Sequence, residues 1–397
     1  MLIPKYWAQH KQRFESLETS SNPSKQATIK RYGWSDVSQA EALSHAKSRV
    51  SEAHNCWLAG EDILRRERRE EYNASNGIPI REEIISGHDF PENELSNNSA
   101  AVTKLIVTRN SYGAQVANVD NIAIIDVDND DLLRHIYPDD YTHHGFMPAF
   151  LVNQSNPTNK IKIWFFVIAF ILIASVIAWL GVSWLWLLVV MFSATAYLWQ
   201  QASARDKTRA QKYTDDIASL LPYMTDLIKK RVVNHPTERF CLYQTPAGFR
   251  IIATHDTISP SDKLVEEWFE YFHADANYVR LCQAQQCFRA RLTAKPWRMT
   301  EVENNKLAKD IPAKDFWFGS DNTDVENSIE QRQDALKARK QWIVDYDRFA
   351  QGYRACHYVE SMAGKEVANN SKVQASIDDF VQWHDRACQV NKALPMA

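Results

Sequence analysis

From Ile163 to Ala204 the chain carries no charged residue, and a run of that length restricts its fold more than any other feature. A helix crossing a bilayer needs roughly 20 apolar residues at 1.5 Å rise each. The run is nearly twice that long, and Gly181-Val182-Ser183 interrupts its middle. The pattern predicts two transmembrane helices, about 163–180 and 184–200, joined by a short turn. Trp164 and Trp199 stand at the outer ends, and Trp179, Trp184 and Trp186 flank the turn. Such placement matches two interfacial aromatic belts. Lys160 and Lys162 precede the run, and Arg205, Lys207, Arg209 and Lys212 follow it. Because positive flanks stay in the cytoplasm, both soluble portions and both termini are expected there. The expected location is a bacterial inner membrane, with the lipid bilayer as partner. No ionisable residue lies within the spans, which suits an anchor better than a transport path. The alternative is a helical hairpin buried in a soluble core.

The remaining composition excludes several classes. A net charge of −3 gives no global attraction to nucleic acid or acidic lipid. Neither GxxxxGK[ST] nor GxGxxG occurs, so the common nucleotide-binding loops are absent. Cys56, Cys241, Cys282, Cys287, Cys356 and Cys388 are scattered with no CxxC, so no zinc-ligand spacing is legible. The thiols read as reduced core residues, and MLIPKYWAQHKQRFE has no apolar segment suited to a signal peptide.

Periodicity organises the flanks. Residues 1–75 read as a helical N-terminal region, with a helix opening at Trp34-Ser35-Asp36 and running to about Leu64. Residues 76–160 and 201–323 read as two parts of one α+β domain, interrupted by the hairpin at 161–200. Residues 86–99 read as a loop. Strands are expected at Lys104–Thr108, at Ala114–Asn118, and in the run that ends at Asp126. After the run come a helix over 207–235, a hairpin around Pro246-Ala247-Gly248, a helix at about 261–273, and strand-like 277–282 and 287–292. Residues 324–397 read as a helical C-terminal region. The expected fold class is thus an α+β cytosolic domain with an inserted two-helix transmembrane hairpin and helical terminal regions.

Chemistry concentrates in two places. In NIAIIDVDNDDLL, Asp126 and Asp128 are two apart at a strand end, so their carboxylates share a face. A hard cation such as Mg²⁺ takes one or two carboxylates plus substrate phosphates, and Asp126 and Asp128 are the candidate ligands. The simpler reading is that Asp126 to Asp131 end a strand and cap the next helix. An EF-hand loop is rejected, because Asp131 and Tyr137 replace its Gly and Glu. In the second place, VRLCQAQQCFRARLTAKPWR, Arg289 and Arg291 alternate with Phe288, Ala290 and Leu292. On a strand both arginines face one way, giving a local basic patch, with Tyr278 and Trp297 able to stack a base. The rival readings are ordinary ion pairing with nearby acids and contact with lipid headgroups. His255-Asp256 and His143-His144 suit turns better than metal sites.

IIDVD and QTPAGFRII together are similar to the D-x-D strand and the later strand of the archaeo-eukaryotic primase–polymerase core. Arg250 stands where that family has a catalytic His, and Arg can still grip a phosphate bidentately. VTRNSYGAQVAN, YQTPAGFRIIATHD and the basic stretch also resemble a bacterial protein family of unassigned activity, over residues of about 100–300. The resemblance implies a shared core. IIDVDNDD, with GSDNTD (Gly319 to Asp324), is also similar to the strand-end motif of haloacid-dehalogenase-like phosphatases, with Asn129 and Asp130 in place of Gly-Thr. The expected function is Mg²⁺-dependent binding of nucleotide or nucleic acid, with phosphoryl or nucleotidyl transfer if there is catalysis. Asp126 and Asp128 would hold metal, and Arg250, Arg289 and Arg291 phosphate. The alternatives are a non-catalytic module that binds a cytosolic protein, and a haloacid-dehalogenase-like phosphatase.

Overall fold

The computed structural model describes residues 1–15, 26–67, 81–90, 103–141, 185–299, 329–367 and 371–397, with residues 79 and 307. These residues form a mixed α/β structure that falls into two compact units, Met1–Val127 with Leu227–Ala397, and Asp128–Asp226.

In the first unit, β1 (Tyr6–Glu15) and β2 (Gln26–Ser35) pair antiparallel from Tyr6↔Ser35 to Glu15↔Gln26. This corrects the helical expectation for residues 1–75. Alternation in ATIKR buries Ala27 and Ile29 and leaves Thr28 and Lys30 half-buried, the period of a strand. α1 (Gln39–Leu58) follows, with Ser38 Oγ accepting from the Glu41 N–H at 3.2 Å. Its buried stripe is small: Ala42, Ala46, Val50 and Ala53. Small residues let α1 approach closely at Gly33, where an added Cβ would stand 2.2 Å from the Ala46 nitrogen.

A four-stranded sheet has the order β3-β4-β5-β9, built from Glu83–Phe90, Thr103–Arg109, Gln115–Val119 and Phe288–Arg291. β3 takes up part of the stretch that reads as a loop. A second four-stranded sheet has the order β10-β7-β8-β6, from His357–Ala363, Arg239–Thr245, Gly248–Ala253 and Ile124–Asp128. Val116↔Arg291 and the β8–β6 adjacency mean that strands from before and after the uncharged run share both sheets. β8 is an inner strand, and all six of its residues are buried. Of the helices, α4 (Lys263–Tyr271) is near its expected place. Strand-like 277–282 is instead part of α5 (Ala276–Gln285). Asp275 caps it through the Asn277 N–H at 2.9 Å, and Gln286 ends it in the left-handed region at φ 50°. Tyr278 on α5 joins the two sheets: its Oη donates to the Ile124 carbonyl at 2.6 Å and accepts from the Arg289 N–H at 3.3 Å. The C-terminal region holds α6 (Ile329–Ala350) and α7 (Ser371–Ala387), but β10 lies between them.

The second unit contains α2 (Asn129–Ile136) and the larger part of α3 (Leu185–Asn234). Tyr137 and Ser219 hydroxyls meet at 3.0 Å, and Tyr141 Oη donates to Asp216 Oδ2 at 2.7 Å. The transmembrane hairpin is not supported. Its first expected helix, with Trp164 and Trp179, lies outside the described residues, as does Trp184 at the start of the second. Its second begins α3, and among the described residues no helix is long and apolar enough to cross a membrane. From Leu185 the described helix passes Trp199 into Gln200, Gln201 and Arg205 and runs on to Asn234. Trp199 is exposed on a helix that runs on through polar sequence. The inner-membrane location falls with the hairpin.

Gly33→Ala should lower the stability of the α1–β2 contact by about 1–3 kcal/mol, because backbone rather than a flexible side chain blocks the new methyl group. Urea denaturation followed by tryptophan fluorescence reads this, since Trp7 and Trp34 lie 5.7 Å apart in the same layer. An unchanged midpoint would contradict the close approach.

Candidate functional site

β8 carries Arg250 into the interior, where it is 2% exposed. Three further buried side chains converge on its guanidinium. Cys356 immediately precedes β10, His384 lies on the inner face of α7, and Cys388 follows that helix by one residue. The spacing His384–Cys388 is i,i+4, which puts both side chains on one helix face. Ile377 and Phe380 extend the same buried stripe. The Ala355 N–H donates to the Cys388 carbonyl at 3.0 Å, so the two cysteine-bearing segments run side by side.

Distances define the cluster. Arg250 Nη1 is 3.0 Å from His384 Nε2, 3.7 Å from Cys388 Sγ and 4.0 Å from Cys356 Sγ. Arg250 Nη2 donates to the Arg291 carbonyl at 3.1 Å. Cys388 Sγ lies 3.4 Å from His384 Nε2, and the ligand atoms of Cys356, His384 and Cys388 all fall within 4.8 Å of one another. His384 Nδ1 meets Asp385 Oδ1 at 3.0 Å. A guanidinium can only donate. Arg250 therefore holds Nε2 as a lone pair, and Nδ1 carries the proton toward Asp385. The Tyr243 ring stands 5.1 Å from the imidazole, edge to face.

The electrostatics follow from burial and from these neighbours. Burial works to lower the Arg250 pKa, but Cys356, Cys388 and Asp126 outweigh it and the net shift is upward. Burial pushes the Cys388 thiol up, yet a hydrogen bond from Cys356 and the Arg250 charge bring it below the ordinary value. Cys356, as donor in that hydrogen bond and buried besides, is raised well above its ordinary value. Cys356 is thus the sulfur that keeps its proton.

The residues singled out from sequence distribute unevenly around this centre. Asp126 lies in the middle of β6, with a 36% exposed side chain and Oδ1 3.9 Å from Arg250 Nε. Asp128 is exposed and precedes α2 without capping it through its side chain. The division between the two units falls between Val127 and Asp128. Arg289 does not join Arg250: it is buried, donates to Glu82 Oε1 at 2.7 Å, and is also bonded to Gln285. Arg291 reaches the centre through its carbonyl, not its guanidinium. Tyr278 is buried in the bridge between sheets, whereas Trp297 lies at the surface beside Tyr112. His255 Nδ1 stands 3.1 Å from both the Arg239 nitrogen and carbonyl, which is a turn role, and Asp256 accepts from the Thr257 N–H. His143, His144 and Gly319 to Asp324 lie outside the described residues.

Sequence reasoning missed Cys356, His384 and Cys388 as a group. The only local signal is the i,i+4 pair in HDRAC; Cys356 is distant in sequence. No family model, curated relative or solved structure matches the chain.

Glu82 is the buried counter-charge of Arg289, with side chains 2% and 7% exposed. Glu82→Ala should therefore cost about 3–5 kcal/mol, the penalty for stranding a buried charge. A urea midpoint equal to that of the unsubstituted chain would show that Arg289 does not depend on Glu82, and would return it to the phosphate-binding candidates.

Proposed function

We propose that the chain is a metal-binding protein whose Cys356, His384 and Cys388 hold one transition-metal ion of the zinc type. The observation that carries this reading is the convergence of two sulfurs and an imidazole lone pair in one fully buried volume. Ion–sulfur and ion–nitrogen bonds of about 2.3 and 2.0–2.1 Å, at a tetrahedral angle, separate sulfur and nitrogen by about 3.6 Å. The Cys388 Sγ to His384 Nε2 distance of 3.4 Å is close to that edge. Asp385 on Nδ1 adds support, since a carboxylate there fixes the ring and makes the ligating nitrogen more basic. Soft sulfur donors favour zinc over Mg²⁺. Arg250 Nη1 contacts all three donors. Binding would release it from Nε2 and leave it donating to the sulfurs and to the Arg291 carbonyl. Because all three donors are 0% exposed, the role of the ion is to fasten α7 and the residue after it to the segment before β10.

The Mg²⁺ reading at Asp126 and Asp128 has less support, because among the described residues Asp126 belongs to no group of converging metal-ligand atoms.

Metal analysis of the full chain, purified under reducing conditions, should find one zinc per chain. Cobalt replacement should add sulfur-to-cobalt charge-transfer absorption, and Cys388→Ser and His384→Ala should each remove it. A chain that takes up neither ion, or variants that bind as the original does, would overturn the proposal. Because Cys356 holds its proton at neutral pH, binding must displace it. Apparent affinity should rise at least about tenfold per pH unit, for that proton and any that Cys388 still carries. Competition with a chromogenic chelator at pH values below and above neutrality reads this slope, and a pH-independent affinity would remove Cys356 from the ligand set.

A further inference from the structure

We propose that Cys356 and Cys388 form a dithiol–disulfide couple that a peroxide closes. The part of this that concerns metal release rests on the zinc reading above; the couple itself does not. The geometry carries it. Both sulfurs address the same guanidinium nitrogen, at 4.0 and 3.7 Å, and lie within 4.8 Å of each other. The Ala355 N–H to Cys388 carbonyl bond of 3.0 Å clamps their backbones together. Neighbouring backbones with converging side chains are what a disulfide requires, so closing the bond calls for side-chain rotation and not for separating elements.

Of the remaining cysteines, Cys282 and Cys287 are joined in a comparable way, the Cys287 N–H donating to the Cys282 carbonyl at 3.2 Å, and theirs is the linkage that competes with this one. Cys56 lies on α1, on a different sheet layer. Cys282 and Cys287 are separated by the left-handed turn at Gln286 that ends α5, and Cys241 lies on β7 beside Ser361 of β10.

The chemistry balances with hydrogen peroxide as oxidant. In the metal-free chain, two thiols and one peroxide give one disulfide and two waters. The sulfur–sulfur bond forms, the oxygen–oxygen bond breaks, and the two thiol protons leave in water. In the loaded chain, two metal-bound thiolates, one peroxide and two protons from solvent give the disulfide, two waters and the free ion. The disulfide sulfurs have lost the charge that held the ion, so release accompanies closure.

The test treats the full chain with a modest excess of hydrogen peroxide in two forms, zinc-loaded and zinc-stripped. The readouts are intact mass, peptide mapping under non-reducing conditions, and released zinc followed with a chromogenic chelator. The expected result in both forms is the loss of two hydrogens per chain, with Cys356 and Cys388 in one linked peptide. The loaded form should also release one zinc per disulfide, and a thiol reductant should reverse both changes. Cys282→Ser should leave the linkage intact. If the chain never takes up zinc, yet the stripped form gives the Cys356–Cys388 link, the zinc reading fails and the couple stands. Oxygen addition at either sulfur without a link, or a link to Cys241, Cys282 or Cys287, overturns the couple.

Discussion

A guanidinium that is 2% exposed sets the arrangement of the sheet that contains it. Burying a charge without partners costs several kcal/mol, so Arg250 must collect acceptors from whatever packs against β8. It finds the Arg291 carbonyl at the end of β9, the imidazole of α7, two sulfurs, and the Asp126 carboxylate on the neighbouring strand. Each comes from a different part of the chain. Satisfying one side chain therefore fixes where the last strand of one sheet, the C-terminal helix and the edge strand β6 meet. Tyr278 repeats the device on a smaller scale, with one hydroxyl serving both sheets.

Other buried ion pairs hold the periphery in the same manner. Arg231 and Glu238 form a two-point pair of 2.7 Å bonds with both side chains buried, and Trp268 Nε1 donates to the same carboxylate at 3.1 Å. Arg109 donates to Asp347 at two points and to the Gly113 carbonyl, which ties the β4–β5 turn to α6. Gly113, at φ +90°, leaves room there for the Trp342 ring, 2.4 Å from where a Cβ would be. In each pair one arginine offers a planar fork to a carboxylate, the geometry that best offsets desolvation. Of the arginines that read from sequence as a phosphate-binding patch, Arg289 is in this fold paired with buried Glu82.

The legible parts of the fold were those with a clean period. The β4, β5, β7 and β8 strands, with Asn110-Ser111-Tyr112-Gly113 and Pro246-Ala247 at their turns, could be read from alternation and turn chemistry. β1 could not: in YWAQHKQRFE only Trp7 and Ala8 are buried, so a half-wet two-stranded ribbon offers little apolar alternation. β3 was hidden by Gly87 and Asp89, which read as loop residues. The stretch YVRL looked like a strand because its β-branched and aromatic residues outweighed the Asp275 cap that starts α5. The uncharged run misled in another way, since apolar composition says nothing of how a helix continues beyond Trp199 into polar sequence. Of the candidate site, Arg250 was visible through its place in the hairpin. Its thiol and imidazole neighbours were not, because tertiary packing alone brings Cys356 to a pair on another helix.

The guanidinium and a metal ion would compete for the same lone pairs, and the charges around them show how both can be held. An ion with two thiolates is neutral, so loading the centre adds no net charge to the interior once both thiol protons have left. Arg250 then keeps Asp126 as its counter-charge at 3.9 Å, and Asp385 stays bonded to the His384 proton at Nδ1. In the metal-free chain the same neutrality is approached by a thiol at Cys356, a thiol drawn toward thiolate at Cys388, and the Arg250 charge beside it. Because the two states differ in which cation the sulfurs face and not in total charge, β8, α7 and β10 can keep their places in both. What moves is one arginine nitrogen, 3.0 Å from the imidazole when no ion is there.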